Sequence, residues 1–383
     1  MKVLVLAPAA YDTSPSQRFR IEQWARHLEP LGYEFSFFPF EDPDLHRVLY
    51  QPGRYGIKAA LMMRAFLRRF GVVTGARKFD VVLVAREASL IGPAVIERLI
   101  TWLGVPLIYD FDDPLWISYR SPQNKLFSRL KCPSKTKALC RMASQVITGN
   151  RLLADWAGTF NPNTHVVPST IDFAQYSRPE RVHHEGPVTL GWTGSHSTLP
   201  FLERLHPVLD RLAERESFRL MVISHTDRYS IENASYPVVA RRWVADREAS
   251  DLLEFDIGLA PFPNMGWTPW RCHGKVLQYM ASALPVVTSP IGILPDMIDH
   301  GDNGFLTDSD DQWIDTLSRL IRDPQLRWRI GQRGRDSVER DFAVGIWIHE
   351  VQAILESAVG ERFKAPHRQN TQPEVIQAEV HTS

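Results

Sequence analysis

The sequence predicts an α/β protein made of two doubly wound, Rossmann-like domains. Three observations lead there. Short apolar runs of strand character alternate with helical periodicity from the N-terminus onward. That alternation lapses after Pro168 and restarts at Val188. At 383 residues the chain is also too long for one ordinary core. Hydrophobic content of 44% and charge of 23% fit a soluble globular protein. Cys132, Cys140 and Cys272 cannot close a disulfide framework and lack metal-ligand spacing, which fits a reducing cytoplasm. The opening MKVLVLAPAAYD is a short apolar run broken by Pro8, the pattern of a first strand as much as of a signal peptide. No later run reaches the roughly 18 apolar residues of a membrane span. The expectation is a protein neither exported nor membrane-spanning.

In the first domain, residues 1–170, the runs at 3–6, 35–38, 81–84, 106–109 and 146–148 suit a parallel sheet. Ile21, Trp24, Ala25 and Leu28 follow the helical i, i+3, i+4, i+7 rule, and Gly32 stops that helix. Residues 57–70 read as amphipathic, with Leu61, Met62, Ala65 and Phe66 set against Lys58, Arg64, Arg68 and Arg69. Residues 171–187 have linker composition. A second domain, 188–343, carries strand-like runs at 188–192, 220–223, 238–239, 257–260, 286–287 and 305–306, with a helix expected over 199–212. Two basic helical stretches are expected after Asp323-Pro324, and a last amphipathic helix within 344–362. The polar tail 363–383 lacks apolar periodicity and is expected to be disordered.

The formal charge is zero, yet it is unevenly spread. Residues 45–79 contain no acid but carry Arg47, Arg54, Lys58, Arg64, Arg68, Arg69, Arg77 and Lys78. Residues 114–154 again lack acids and carry Arg120, Lys125, Arg129, Lys131, Lys135, Lys137, Arg141 and Arg151. Such asymmetry suits a nucleic acid, an anionic membrane surface or a phosphorylated acceptor, or is simply a solvated basic face. The amphipathic helix at 57–70 is expected to lie on an anionic inner leaflet.

Chemistry concentrates in 256–292, DIGLAPFPNMGWTPWRCHGKVLQYMASALPVVTSPIG. A buried strand, a Pro/Gly/Trp loop, a helix starting near His273 and a second strand put a helix N-terminus beyond a strand's carboxyl end, where open α/β sheets bind ligands. Lys275 falls in the first helical turn, against the helix dipole, a mismatch that a bound phosphate repairs. The segment LGWTGSHST places Gly194, Ser195, His196, Ser197 and Thr198 between a strand and a helix. Glycine lets the backbone approach an anion, and Ser197 or Thr198 serves as phosphate contact or plain N-cap. In VPLIYDFDDPLW, Asp110, Asp112 and Asp113 end a strand. Asp112 suits acid–base work or stabilisation of developing positive charge. Asp110 and Asp112 also form an Asp-x-Asp pattern of the kind that binds divalent metal, and structural capping is a third reading. Ser16, Arg18 and Arg20 follow the first strand, and Arg86-Glu87 follow the third. His183, His184, His225 and His300 have no ligand spacing.

These segments resemble the family four, retaining glycosyltransferases of GT-B fold, group 1 type, in the subgroup whose donor-site helix runs Lys-x-x-Gln-Tyr-Met-Ala, here Lys275 to Ala281. The Ser-x-Arg-x-Arg run of Ser16, Arg18 and Arg20 is similar to that subgroup as well. The resemblance implies two domains facing across a cleft, with the C-terminal helix crossing back to the first. It also implies transfer of a sugar from a nucleoside diphosphate sugar to an acceptor hydroxyl, with no metal or other cofactor required. By the same resemblance Lys275 and Arg271 neutralise the departing diphosphate, helped by the backbone of 194–198. Gln278 holds the ribose, Asp112 is catalytic, and Arg18, Arg20, Arg86 and Asp110 address the acceptor. The chain departs from the family's common form in three places. It has no Arg or Lys between Gly191 and Leu202, and Trp270 and Gln278 stand where two glutamates are usual. The implied partners are the nucleotide sugar and a saccharide or lipid-linked acceptor in surface polysaccharide or glycolipid synthesis, at the cytoplasmic face of the membrane; nucleic acid is not expected. A nucleotide-sugar epimerase of the same fold, a metal-dependent GT-A enzyme, or a nonenzymatic nucleotide-sugar or polysaccharide binder remain as alternatives.

Overall fold

Aliphatic runs without polar alternation are stable as strands only when a sheet is covered on both faces. The structure, a computed structural model, describes residues 1–49, 51, 53–117, 132–176 and 186–364, with side chains to residue 360. Arg120, Lys125, Arg129, Lys131, His183, His184, residues 177–185 of the expected linker and the tail beyond 364 lie outside the described residues. Those described form two six-stranded parallel sheets. The first contains β1 (Lys2–Ala7), β2 (Glu34–Pro39), β3 (Val81–Ala85), β4 (Leu107–Phe111), β5 (Gln145–Thr148) and β6 (Thr164–Val166), in the order β2-β1-β3-β4-β5-β6. The second contains β7 (Val188–Thr193), β8 (Phe218–Ser224), β9 (Val238–Arg242), β10 (Ile257–Ala260), β11 (Val286–Thr288) and β12 (Phe305–Leu306), in the order β12-β11-β10-β7-β8-β9. Strand order reverses between β1 and β3 in one sheet and between β7 and β10 in the other. Each reversal opens a crevice at the carboxyl ends of the strands.

The helix Ile21–Leu28 buries Ile21, Trp24 and Leu28 against Val3, Val5 and Leu83. The last helix, Val344–Lys364, joins the same core through Ile348, Val351, Ile354, Leu355 and Ala358, so the C-terminal segment packs on the first sheet. β6 escaped the sequence reading. Its three residues, Thr-His-Val, carry no apolar pattern, and it is a strand because it pairs with β5.

Two helices differ from expectation. The helix expected over 199–212 is split into Leu199–Glu203 and His206–Ala213. Pro207 has no N–H, and in a continuous helix its ring would press on the carbonyl of Glu203. Conversely, the two stretches expected after Pro324 are one helix, Pro324–Phe342, whose N-cap Asp323 accepts from Leu326 N at 2.9 Å. Gly331 does not interrupt it. A Cβ there would collide with the carbonyl of Ala283, so this glycine serves close packing against the preceding helix–strand unit.

The charge pattern of the helix Tyr55–Gly75 also needs correction. Lys58 and Arg69 are buried. Lys58 Nζ donates to Gln51 O at 2.5 Å, and Arg69 donates to the carbonyls of Phe38 (2.6 Å) and Ala7 (3.1 Å). Arg64 pairs with Asp42 and Asp44, and Arg68 with Asp42 at 3.3 Å. Those two acids sit just before the acid-free stretch and fold back onto it. Besides Arg64 and Arg68, the helix exposes apolar side chains: Ile57, Met63, Leu67 and Phe70. Among the described residues, no helix is long and apolar enough to cross a membrane.

Candidate functional site

The loop after β10 closes on a short turn, Thr268–Trp270, shaped by the buried Thr268 hydroxyl, which donates to Pro263 O (2.7 Å) and accepts from Met265 N (2.9 Å). The helix Gly274–Ala281 begins immediately beyond it. Lys275 Nζ lies 4.3 Å from the centre of the Trp192 ring and 5.6 Å from that of Phe262. Among the described residues no carboxylate lies within ion-pair distance of it. Burial, and then the charge of Arg271, hold its pKa well below the usual lysine value. A desolvated cation resting on aromatic faces with no counter-charge is a site prepared for an anion.

Trp192, at the end of β7, is the wall shared by Lys275 and the glycine turn. A Cβ on Gly194 would lie 2.6 Å from the Trp192 ring and 2.7 Å from Thr198 Oγ1, so only glycine fits. The Gly194 N–H stays in the sheet, donating to Ile223 O at 3.1 Å. Ser195 O accepts from the N–H groups of Thr198 and Leu199, and the Ser195 and Ser197 hydroxyls lie 2.8 Å apart. Thr198 makes no side-chain cap; its hydroxyl donates back to Ser195 O. His196 meets His225 edge-on at 5.7 Å. The Tyr279 hydroxyl accepts from Thr193 N at 2.8 Å, fastening this helix to β7. Gln278 donates to Tyr176 Oη at 3.2 Å.

At the first sheet, Arg20 and Asp110 are buried together. Arg20 Nε donates to both Asp110 oxygens at 3.1 Å, and its Nη1 to Val167 O. Their charges are spent on each other. Arg86, in the left-handed region at φ 60°, donates from Nη1 to Asp112 (2.8 Å), Asp113 (2.8 Å) and Ser16 Oγ (2.9 Å). Burial opposes its charge, but Asp112 and Asp113 outweigh that and hold the guanidinium above its ordinary value. Asp113 also receives Arg271 Nε, at 3.2 Å, from the second-sheet half. Against burial, Arg271 and then Arg86 pull its pKa down to about 2.

The halves also meet through packing. Cys272, with Trp270 against it, belongs to the first sheet's hydrophobic core. Asn150 Nδ2 donates to Trp270 O at 2.8 Å, and the Cys272 thiol, its pKa raised by burial, donates to Asp112 O at 3.3 Å. A methyl group on Gly149 would strike Cys272 Sγ. Trp116 stacks on Trp156 at 3.6 Å and meets Trp270 edge-on. Arg18 bridges Asp12 (2.7 Å) and Glu248 (2.6 Å), again joining the halves.

Of the residues singled out from sequence, Arg271, Arg86 and Asp112 therefore gather around Asp113, while the 194–198 turn approaches Lys275 through Trp192. Arg18, Arg20 and Asp110 are engaged in ion pairs. Asp110 and Asp112 each have their own arginine, and no group of three His, Cys, Asp or Glu among the described residues is arranged to hold a metal. Sequence reasoning gave no role to Asp113, Trp192, Cys272 or His273. The DFDD run was the one signal that pointed toward Asp113; the other contacts are tertiary.

Asp110→Asn leaves Arg20 buried without its counter-charge, which costs about 3–5 kcal/mol. A urea denaturation curve should show that loss. An unchanged midpoint would show that the pair braces nothing.

Residues 189–323 match the family described as Glycosyl transferases group 1. Among curated proteins, the N-acetyl-alpha-D-glucosaminyl L-malate synthase of Bacillus anthracis is 33% identical over 69 residues, 18% of each chain. The D-inositol 3-phosphate glycosyltransferase of Corynebacterium efficiens is 38% identical over 86 residues, 21% of this chain and 20% of that one. The matched segments thus span about a fifth of these curated relatives. Among solved structures, Anabaena Alr3699/HepE in complex with UDP-glucose superposes with a TM-score of 0.65 at 17% identity, covering 93% of this chain and 100% of that one. Sucrose-phosphate synthase from Thermosynechococcus elongatus gives 0.65 at 13%, covering 94% and 100%. At such identities the likeness is one of fold. The two parallel sheets and these superpositions make the fold GT-B, and residues 189–323 carry the match to group 1 glycosyl transferases.

Proposed function

We propose that the chain is a retaining glycosyltransferase that moves a sugar from a nucleoside diphosphate sugar to an acceptor hydroxyl. The observation that carries this reading is Lys275, seated on the Trp192 ring at a helix start beyond β10 with no carboxylate partner among the described residues. The family match over 189–323 and the transferase names of the two curated relatives support it. So does a structure of the same fold that holds UDP-glucose. Lys275 and Arg271 would take the negative charge that grows on the diphosphate as its bond to the anomeric carbon breaks. The 194–198 turn would close over the phosphates, and Gln278, anchored through its amide nitrogen on Tyr176, would present its oxygen to the ribose. The acceptor oxygen bonds the anomeric carbon on the face that the diphosphate leaves, and its proton passes to a departing phosphate oxygen. Neither a metal nor another cofactor enters this scheme.

Asp112, held by Arg86, would orient the acceptor hydroxyl or stabilise positive charge at the anomeric carbon. Arg86 and Ser16 line the acceptor side, with Arg18, Arg20 and Asp110 as its framework. Trp270 packs into the first-sheet core where relatives of the family four pattern carry a glutamate for the sugar, an observation that favours a nonenzymatic sugar-nucleotide binder as second reading. Turnover separates the two: a binder retains the nucleotide sugar but neither transfers nor hydrolyses it. We also take 171–187 as the linker between two domains, 1–170 and 188–343, spanned by the last helix. The role we assign is surface polysaccharide or glycolipid synthesis at the cytoplasmic face of the membrane.

Lys275→Ala removes a charged hydrogen bond to phosphate, worth about 1.5–3 kcal/mol, and should abolish transfer. In the wild type, a bound diphosphate favours the protonated form of Lys275 that burial and Arg271 disfavour. Affinity should therefore fall as pH rises through the free-protein pKa, by at most about tenfold per unit for one proton, and the variant should lose that dependence. Titration calorimetry in buffers of different ionisation enthalpy reads both effects. Wild-type affinity in the variant removes Lys275 from the site.

Asp112→Asn can still accept from Arg86 through its amide oxygen and should keep donor binding, while turnover falls by roughly two to four orders of magnitude. Retained turnover with a lowered melting temperature would make Asp112 structural.

The exposed Ile57, Met63, Leu67 and Phe70 suit insertion at the surface of an anionic bilayer, bringing the cleft to a lipid-linked acceptor. Wild type should sediment with anionic vesicles, and the double substitution Met63→Gln/Leu67→Gln should release it without unfolding. A wild type that ignores such vesicles at low salt points to a soluble acceptor.

A further inference from the structure

His273 precedes the helix Gly274–Ala281 with φ 49° and ψ 41°, a left-handed conformation that glycine adopts freely and histidine does not. The residue is buried, at 4% relative exposure. Among the described residues, neither Nδ1 nor Nε2 has a hydrogen-bond partner. Buried polar atoms are nearly always paired, so this residue carries a backbone cost and a solvation cost together. No hydrogen bond among the described residues offsets the solvation cost. The ring meets Phe262 edge-on at 4.5 Å, and Lys275 stands over the same phenyl ring at 5.6 Å. The charged groups facing it are Arg271, Asp113 and Lys275.

Those neighbours define what the ring can do. Burial first, and then Arg271, push its pKa down to about 3, with Asp113 opposing, so the imidazole is neutral and offers one N–H and one acceptor nitrogen. Arg271 and Lys275 cannot accept from that N–H, and Asp113 is taken by Arg86 and Arg271. The backbone N–H groups of Gly274 and Lys275 also have no acceptor among the described residues. A ligand rich in acceptor oxygens at the helix start would pair all of these donors at once. A neutral donor suits the place, since a third positive charge beside two cations would repel them.

We propose that His273 is a positioning residue for the donor, its ring N–H bonded to an oxygen of the nucleoside diphosphate that Lys275 and Arg271 neutralise. This rests on the glycosyltransferase reading and adds to it a third side chain at the phosphates. The histidine is kept at the expense of the fold, and ligand binding relieves its unpaired nitrogens.

His273→Gly tests this directly, because glycine removes the ring and the backbone strain together. Its melting temperature should equal or exceed that of the wild type. Its affinity for UDP, GDP or ADP, whichever the wild type binds, should fall roughly tenfold or more, while affinity for the corresponding nucleoside stays unchanged. With ¹⁵N-labelled histidine, the ring resonance absent from His273→Gly should move when the diphosphate is added to wild type. His273→Asn, which tolerates the left-handed backbone, gives the same comparison should the glycine variant fold poorly. Unchanged diphosphate affinity in these variants, with affinity lost in Lys275→Ala, would overturn the role of His273 alone. If the wild type binds none of the three diphosphates, the donor-site reading itself fails.

Discussion

Asp113 is the hinge of the electrostatics. Its carboxylate lies between Arg86 of the first-sheet half and Arg271 of the second, so one residue joins the two crevices formed at the strand-order reversals. Both arginines are half-buried there, and Asp112 and Asp113 supply the opposing charge that this requires. Arg271 in turn fixes the loop that leads to His273 and Lys275. The packing repeats the same joint: Trp270 and Cys272, on either side of Arg271, lie against the first core. Charge sets the register of this contact, and apolar burial supplies its area.

The site is built by unequal treatment of its cations. Arg20 receives one carboxylate within hydrogen-bond distance, and Arg18 and Arg86 receive two each. Lys275 receives aromatic faces instead. A protein can leave a cation uncompensated only at a cost to stability, because burial favours the neutral form. That imbalance, rather than the number of basic residues, separates a binding group from a brace. His273 follows the same logic with a polar ring in place of a charge.

Much of the fold was legible in the residues. The runs at 3–6, 81–84, 220–223 and 257–260 are strands because apolar segments of that length must be buried on both faces, whatever surrounds them. The helix from Ile21 to Leu28 matched its periodicity residue for residue. Errors came where a neighbour in space overruled a local signal. The two stretches expected after Pro324 are one helix with Gly331 as a contact point inside it, and β6 has no pattern of its own. On the helix Tyr55–Gly75, counting charges within 45–79 missed Asp42 and Asp44, which lie just outside the window and pair with Arg64 in space.

The sequence by itself determined the two parallel sheets and the position of Lys275 in the first turn of a helix after a buried strand. Those features depend on residue order over tens of residues, through periodicity, turn residues and the fixed geometry of a helix start. Tertiary structure alone decided which charges are spent and which remain. Arg20 and Arg271 look alike in sequence, but Asp110 is 90 residues from one and Asp113 is 158 from the other, and only folding brings each pair together. Coulomb energy depends on separation in space and on local exclusion of water, and neither quantity is written in the order of the residues.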